Sequence, residues 1–97
     1  MTYPPLHFAL EAHGAAATLY LHGAMAADSA VRAFRACYTL PSDIRRLRVD
    51  LREVPVAEPA VARTLTILLD HWHASRGSFA HVQWPQRHHW PEGERAA

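Results

Sequence analysis

Alternation of apolar and polar positions predicts two strands near the start of the chain. Residues 6–10 alternate apolar with small or polar side chains, and residues 17–22 do the same up to Gly23. We interpret residues 11–14 as the turn between them, because Gly14 supplies a permissive backbone. A link this short predicts an antiparallel hairpin.

Apolar residues at helical spacing then predict two helices. The first follows an N-cap signal, Asp28-Ser29, and continues to about Thr39. The second covers residues 59–75 and has Gly77 as its C-cap. Each helix has one apolar stripe that is expected to face the core. The stripe residues are Val31, Phe34, Cys37 and Tyr38 in the first helix, and Val61, Leu65, Leu68, Leu69 and Trp72 in the second.

Two further strands complete the predicted fold. Residues 44–51 place Leu47, Val49 and Leu51 on one face, and residues 79–84 form a last strand that ends before Pro85. The order is β-β-α-β-α-β, and its helical connections imply parallel pairing and right-handed crossovers. The sequence therefore predicts an α/β domain with a four-stranded mixed sheet over residues 1–84, followed by a polar tail over residues 85–97.

Composition narrows the class of protein. The 97 residues are 49% hydrophobic and 20% charged, which is ordinary for a globular domain. Ten basic and nine acidic residues give a net charge of +1, which argues against nonspecific binding to nucleic acid or to an anionic membrane. The apolar runs are too short to predict a membrane span, and the first residues lack the basic and apolar regions of a secretory signal. A cytoplasmic location is the resulting expectation.

Eight histidines raise the possibility of a metal site. His71 and His73 are two apart on a predicted helix, so their side chains point about 200° apart and need ligands from elsewhere to chelate an ion. His88 and His89 fall in the tail, next to Trp90. We predict no metal ligands and no cofactor, and interpret the histidines as solvated or singly hydrogen-bonded.

The sequence offers no evident catalytic group. Cys37, the single cysteine, lies on an apolar stripe, where a cysteine is usually an unreactive small hydrophobe. No phosphate-binding glycine loop or nucleophile elbow occurs. Asp50 and Glu53 are three apart at a strand end and so are expected to face opposite sides. We therefore predict no catalytic residue and a protein that is not an enzyme.

Three segments resemble the STAS domain of bacterial anti-sigma factor antagonists. Residues 19–23 (Leu-Tyr-Leu-His-Gly) are similar to its second strand, and residues 47–54 (Leu-Arg-Val-Asp-Leu-Arg-Glu-Val) to its central strand. Residues 56–65 occupy the place of its regulatory loop and second helix. The resemblance covers about residues 6–84 and implies a non-catalytic module for protein–protein interaction in bacterial signalling.

The regulatory position departs from the family. Counting from Asp50, Pro59 stands where the family has its phosphorylatable serine or threonine. Glu58 precedes it, and Val61 stands where the family has a glycine two residues further on. Proline has no hydroxyl and cannot accept a phosphoryl group there. Because its fixed φ suits a first helical residue, we expect Pro59 to begin the second helix.

The resemblance also implies a docking surface and partners. The surface would combine the loop before the second helix, the start of that helix and the first helix. Its candidate residues are Asp28, Arg32, Pro55, Glu58, Pro59 and Arg63. The implied partner is an anti-sigma kinase-like protein, a component of a sensory complex, or an identical chain.

Two alternatives remain open. Some STAS-like domains are credited with binding nucleotides or lipids, so the chain is alternatively a small-ligand sensor with a pocket near the ends of its parallel strands, lined by histidines and Tyr20 or Tyr38. Phosphorylation could instead have moved to Thr64 or Thr66, which the helical position of Thr64 disfavours.

Overall fold

The computed structural model describes residues 4–85. Four strands and two helices follow in the predicted order β-β-α-β-α-β. They are β1 (His7–His13), β2 (Ala16–His22), α1 (Ala27–Cys37), β3 (Arg46–Glu53), α2 (Val61–Arg76) and β4 (His81–Gln83). Nearly all of the predicted tail, including His88, His89 and Trp90, lies outside the described residues.

The strands form one mixed sheet in the order β1-β2-β3-β4. β1 is antiparallel to β2, whereas β2, β3 and β4 are mutually parallel. Both crossovers run across the sheet in the same direction, and such crossovers are right-handed, so α1 and α2 lie on the same face. The predicted α/β fold is confirmed as a two-layer arrangement. Its other sheet face is not covered by either helix.

The core lies between the sheet and the two helices. Alternate residues of β2 and β3 are buried because they point towards the helices. Trp72 and Cys37 are fully buried, as the apolar stripes predicted. The main core residues are Leu19, Leu21, Leu47, Val49, Leu51, Phe34, Cys37, Val61, Leu65 and Trp72.

The hairpin turn is tighter than predicted. β1 continues to His13, and the turn consists of Gly14 and Ala15 rather than residues 11–14. Gly14 has a φ of 61°, which glycine adopts at little cost. The tighter turn lets Glu11 pair with Thr18 and extends the antiparallel ladder to the end of the hairpin.

The first helix begins two to three residues earlier than Asp28-Ser29 suggested. Its N-cap is Ala26, and Ser29 lies in the first turn. The Ser29 hydroxyl accepts the Ala26 N–H at 3.0 Å and donates to the Ala26 carbonyl at 3.0 Å, so the serine closes the helix start from inside.

The prediction that Pro59 begins the second helix is wrong by two residues. α2 starts at Val61, with Ala60 as its N-cap. Pro59 and Ala60 instead occupy a turn that the Val61 N–H closes by donating to the Glu58 carbonyl at 2.9 Å. The second position of such a turn favours proline because its φ is already fixed. The ring therefore shapes the approach to the helix.

The last two strands also differ in their bounds. β3 begins at Arg46 rather than at residue 44, and β4 is three residues long instead of covering residues 79–84. Phe79 lies before β4 and stacks on His73 with ring centroids 3.6 Å apart.

Candidate functional site

Both helices begin at one edge of the sheet. β2 and β3 are parallel, so their carboxyl ends lie side by side, and each strand leads into a helix. We call this region, residues 23–32 and 53–63, the carboxyl edge.

Backbone hydrogen bonds join the two loops of the carboxyl edge. The Met25 N–H donates to the Val56 carbonyl at 3.1 Å, and the Glu58 N–H donates to the Met25 carbonyl at 3.0 Å. The Gly23 N–H donates to the Glu53 carbonyl at 3.1 Å. Met25 and Ala57 form an isolated parallel bridge. The segment before α1 and the segment before α2 are therefore fixed side by side.

Gly23 allows a third segment to approach this edge. Its φ is 106°, and a Cβ built on it would lie 2.5 Å from the Pro5 carbonyl oxygen and 2.9 Å from that of Pro4. The adjacent Ala24 N–H donates to the Pro4 carbonyl at 2.9 Å. Any side chain at position 23 would collide with backbone. Sequence reasoning identified Gly23 as a strand end but missed this contact, which joins residues far apart in the chain.

The structure brings together the six residues of the predicted docking surface. Asp28 lies in the first turn of α1, and Arg32 is one turn further on the same face. The loop paired with the α1 entrance contains Pro55, Glu58 and Pro59, and Arg63 is in the first turn of α2. All but the half-buried Pro55 are exposed.

The charged side chains of this surface are not committed to the fold. Asp28 accepts only the neighbouring Ser29 N–H, at 3.0 Å. Over residues 4–85, the side chains of Arg32, Glu58 and Arg63 make no hydrogen bond or ion pair. Two carboxylates near helix N-termini and two guanidinium groups about a turn further on therefore remain free for charge-assisted contacts with another molecule.

The alternative phosphorylation positions are tied to the helix. The Thr64 hydroxyl donates to the Ala60 carbonyl and the Thr66 hydroxyl to the Ala62 carbonyl, each at 3.0 Å. Thr64 is also half-buried. Both hydroxyls are thus engaged with carbonyls one turn earlier.

Asp50 has a structural role on the uncovered face. It is only 6% exposed. Its carboxylate accepts two bonds from the Arg52 guanidinium, at 2.8 and 3.1 Å, and the Arg52 backbone N–H at 3.0 Å. These hydrogen bonds from Arg52 hold the pKa of Asp50 below its usual value. A carboxylate held ionised in this way is a poor general acid at neutral pH.

Cys37 is fully buried, as the apolar stripe predicted. Burial raises the pKa of its thiol to about 11. The thiolate is the reactive form of cysteine, so this group is unreactive at neutral pH.

At the opposite edge of the sheet, hydrogen bonds from side chains hold the loops in place. We call this region, residues 38–46 and 71–79, the amino edge. The Arg76 guanidinium donates to the carbonyls of Leu40, Pro41 and Ile44, at 3.1, 2.6 and 3.1 Å, and lies 4.8 Å from the Trp72 ring centroid. Sequence reasoning missed Arg76; a basic residue in the last turn of a helix, four after a core tryptophan, was the available signal.

Trp72 and His71 complete the amino edge. The Trp72 indole N–H donates to the Arg45 carbonyl at 3.0 Å. The Tyr38 hydroxyl is 2.8 Å from His71 Nδ1. His71 is therefore hydrogen-bonded, as interpreted from the sequence, whereas His73 Nδ1 is buried without a hydrogen-bond partner among the described residues. Among the described residues, no group of three or more His, Cys, Asp or Glu is placed to hold a metal ion.

A cavity of about 380 Å³ lies at the amino ends of the three parallel strands. It is not at the carboxyl edge, and neither Tyr20 nor Tyr38 lines it. Arg46 and Arg48 make no ion pair within the described part of the chain. Phe79 is 75% exposed beside them. The lining residues are Ala16, Ala17, Thr18, Arg46, Leu47, Arg48, Ser78, Phe79 and His81.

Comparisons with known proteins define the class by fold. The chain matches no protein-family model and no curated protein sequence. Among solved structures it is similar to the crystal structure of a protein named Mglu, with a TM-score of 0.67 and 20% sequence identity. The match covers 80% of this chain but only 19% of the Mglu chain. At that identity the similarity shows a shared two-layer α/β fold and nothing about activity. In the part of the chain described, no helix is long and apolar enough to cross a membrane.

Proposed function

We propose that this chain is a STAS-like, non-catalytic, cytoplasmic module that docks on a protein partner through its carboxyl edge. The observation that supports the proposal is the backbone pairing of Met25 with Val56 and Glu58, which holds side by side the two loops that lead into the helices. The partner chemistry it fits is a surface with both basic and acidic groups, as a kinase-like anti-sigma protein or a sensory complex component would offer.

The site at Pro59 supports a module without the usual phosphorylation switch. Proline offers no hydroxyl, and the two nearby threonine hydroxyls are bonded to helix carbonyls. The turn closed between Glu58 and Val61 fixes the approach to α2 in one conformation. Docking at this surface is therefore constitutive and is set by partner concentration.

Glu58→Arg is the test of the docking surface. The side chain is exposed and only its backbone is bonded, so we expect the thermal midpoint to change by less than the equivalent of about 1 kcal/mol. Affinity purification with quantitative mass spectrometry should show loss of the proteins that co-purify with the unmodified chain.

Asp70→Arg is the matched control. Asp70 is also exposed and lies further along α2, away from the carboxyl edge, and the substitution makes the same change of charge. We expect it to retain the co-purifying proteins. Equal retention by both variants would remove the carboxyl edge as the docking surface.

A second candidate function is the binding of a small phosphate-bearing ligand, and the cavity at the amino ends of the strands favours it. Two unpaired arginines, His81 and Ser78 offer donors to an anion, and the exposed Phe79 ring offers a stacking surface. This site is separate from the carboxyl edge.

A thermal-shift screen with nucleoside phosphates and with soluble phospholipid headgroups tests this candidate. Binding in the cavity should raise the midpoint by several degrees, and Arg46→Ala should abolish the rise. Arg35→Ala, which removes an exposed arginine from α1, should leave it unchanged. No shift with any compound at millimolar concentration would eliminate the sensor function.

A further inference from the structure

β1 is a long edge strand with one unpartnered side. It pairs with β2 over all of His7–His13, and no other strand of residues 4–85 pairs with it. Within residues 4–85, the backbone N–H and C=O groups on its outer side therefore lack sheet partners. β4, at the other end of the sheet, exposes only His81–Gln83.

Apart from the charge of Glu11, His7–His13 itself carries none of the usual protections of an edge strand. Proteins block such edges with proline, with lysine or with a bulge. His7–His13 contains neither residue, and its register with β2 is uninterrupted. An unprotected edge of this length is a template for adding another strand.

The two faces of β1 differ in chemistry. Phe8, Leu10 and Ala12 pair with Leu21, Leu19 and Ala17, so they lie on the helix-covered face. His7, Ala9 and Glu11 lie on the other face. Phe8 is nonetheless 44% exposed, since the helices leave the outer side of β1 uncovered.

Antiparallel pairing of β1 with β1 of a second copy restricts the possible registers. Directly opposed residues of antiparallel strands point to the same face of the sheet. The twofold axis that relates the two copies must therefore pass between one residue of β1 and the same residue of the second copy. With the axis at Ala9, Phe8 faces Leu10 and Leu6 faces Ala12 on the apolar face. On the other face, His7 lies opposite the second copy's Glu11, twice by symmetry.

Neighbouring registers are less complementary. With the axis at Leu10, His7 would face His13 and Glu11 would face Ala9. With the axis at Phe8, Glu11 would face Pro5, which has no N–H and already bridges to Ala24. Only the Ala9 register places the Glu11 carboxylate opposite the His7 ring and also places Phe8 opposite Leu10.

We propose that this chain forms a homodimer in which the two β1 strands pair antiparallel about Ala9, joining two four-stranded sheets into one. The interface lies on the β1 edge and does not use the carboxyl edge. Each copy thus presents its own docking surface, and the dimer is bivalent. The inference goes beyond the proposed function and stands or falls separately from it.

A cysteine at position 9 tests the register directly. Opposed residues of antiparallel strands have Cα atoms about 4.5–5.5 Å apart, which a disulfide can bridge. We expect Ala9→Cys to give a covalent dimer on mild oxidation, and Cys37 to remain reduced because it is buried. In His13→Cys, the matched control on the same face, the two cysteines would be about 25 Å apart and should stay unlinked. Equal crosslinking of both variants would overturn the register.

Charge reversal tests the same interface without a crosslink. In sedimentation equilibrium the unmodified chain should dimerise, and His7→Arg should tighten the dimer by adding two ion pairs. The double variant His7→Arg, Glu11→Arg should weaken it by about tenfold or more, because like charges then oppose each other. The swap His7→Glu, Glu11→Arg should restore it. A chain that stays monomeric up to millimolar concentration, or a dimer indifferent to these changes, would refute the proposal.

Discussion

The two edges of the sheet are held together by different means. At the carboxyl edge, backbone bonds hold the loops, as between Met25, Val56 and Glu58. At the amino edge, side chains of α2 hold them: Arg76 donates to three loop carbonyls and Trp72 to a fourth.

This difference favours the carboxyl edge as the surface that docks a protein partner. Side chains at the amino edge are used as hydrogen-bond donors to loop carbonyls. Those at the carboxyl edge have no such duty, so exposed residues such as Glu58 and Arg63 are available for a partner. The comparison predicts that backbone changes disturb the carboxyl edge, whereas side-chain changes disturb the amino edge.

The largest effect is expected from Gly23→Ala. A side chain here combines an unfavourable φ of 106° with a contact of 2.5 Å to the Pro5 carbonyl. We expect a loss of about 3 kcal/mol in the free energy of unfolding, measured by urea denaturation.

Gly14→Ala separates the cost of the positive φ from the cost of the steric contact. Gly14 also has a positive φ, 61°, but a Cβ there would meet nothing within 4 Å. We expect a loss of about 1–2 kcal/mol from the backbone conformation alone. Equal losses in the two variants would mean that the Pro4–Pro5 contact does not constrain the carboxyl edge.

Arg76→Ala should have the next largest effect. It removes the guanidinium bonds to the Leu40, Pro41 and Ile44 carbonyls, of which Pro41 keeps the Ile44 N–H, and it uncovers the Trp72 ring. We therefore expect a loss of about 2 kcal/mol in chemical denaturation. Arg76→Lys should recover only part of this, because an ammonium lacks the planar fork.

Arg63→Ala, in the first turn of the same helix, is the control. Its side chain is exposed and makes no polar contact within the described residues, so the change should stay within about 0.5 kcal/mol. A large effect at Arg63 would contradict the view that carboxyl-edge side chains are not committed to the fold.

The smallest effect concerns Asp50, which lies between the two edges, and it depends on pH. Because Arg52 holds the folded pKa of Asp50 below 3.8, ionised Asp50 stabilises the fold above that value, and this contribution is lost as pH falls through the folded pKa. Asp50→Asn should therefore lower the thermal midpoint at pH 7, with the difference from the unmodified chain shrinking below pH 4. A difference that stays constant from pH 7 to pH 3 would contradict this account.

Much of the fold was predictable because periodicity reports burial directly. The stripes ending in Cys37 and Trp72 and the alternation through Leu47 and Val49 gave the correct order of elements and the correct core. Element ends were less accurate. Ala26 has no cap-forming side chain, and the cap at α1 comes from Ser29 inside the helix. At α2, a turn closed between Glu58 and Val61 precedes the helix and moves its start beyond Pro59.

The resemblance to the STAS domain implied one docking surface, but the contacts that hold its loops side by side could not be predicted from the sequence. Asp28 and Glu58 are thirty positions apart, and only the parallel pairing of β2 with β3 and the bonds of Met25 place their loops side by side. The importance of Arg76 also escaped sequence reasoning, because the carbonyls it satisfies belong to a loop more than thirty residues earlier.

The sequence by itself determined the class of fold, the core faces of each element and the absence of a hydroxyl at position 59. These are local properties, since each follows from the spacing or chemistry of residues within one segment. The tertiary structure decided which loops meet at each edge, why position 23 must be glycine, and which long strand edge has no partner within residues 4–85. Those outcomes depend on contacts between distant segments, and they follow only once the right-handed crossovers have set both helices on one face of the sheet.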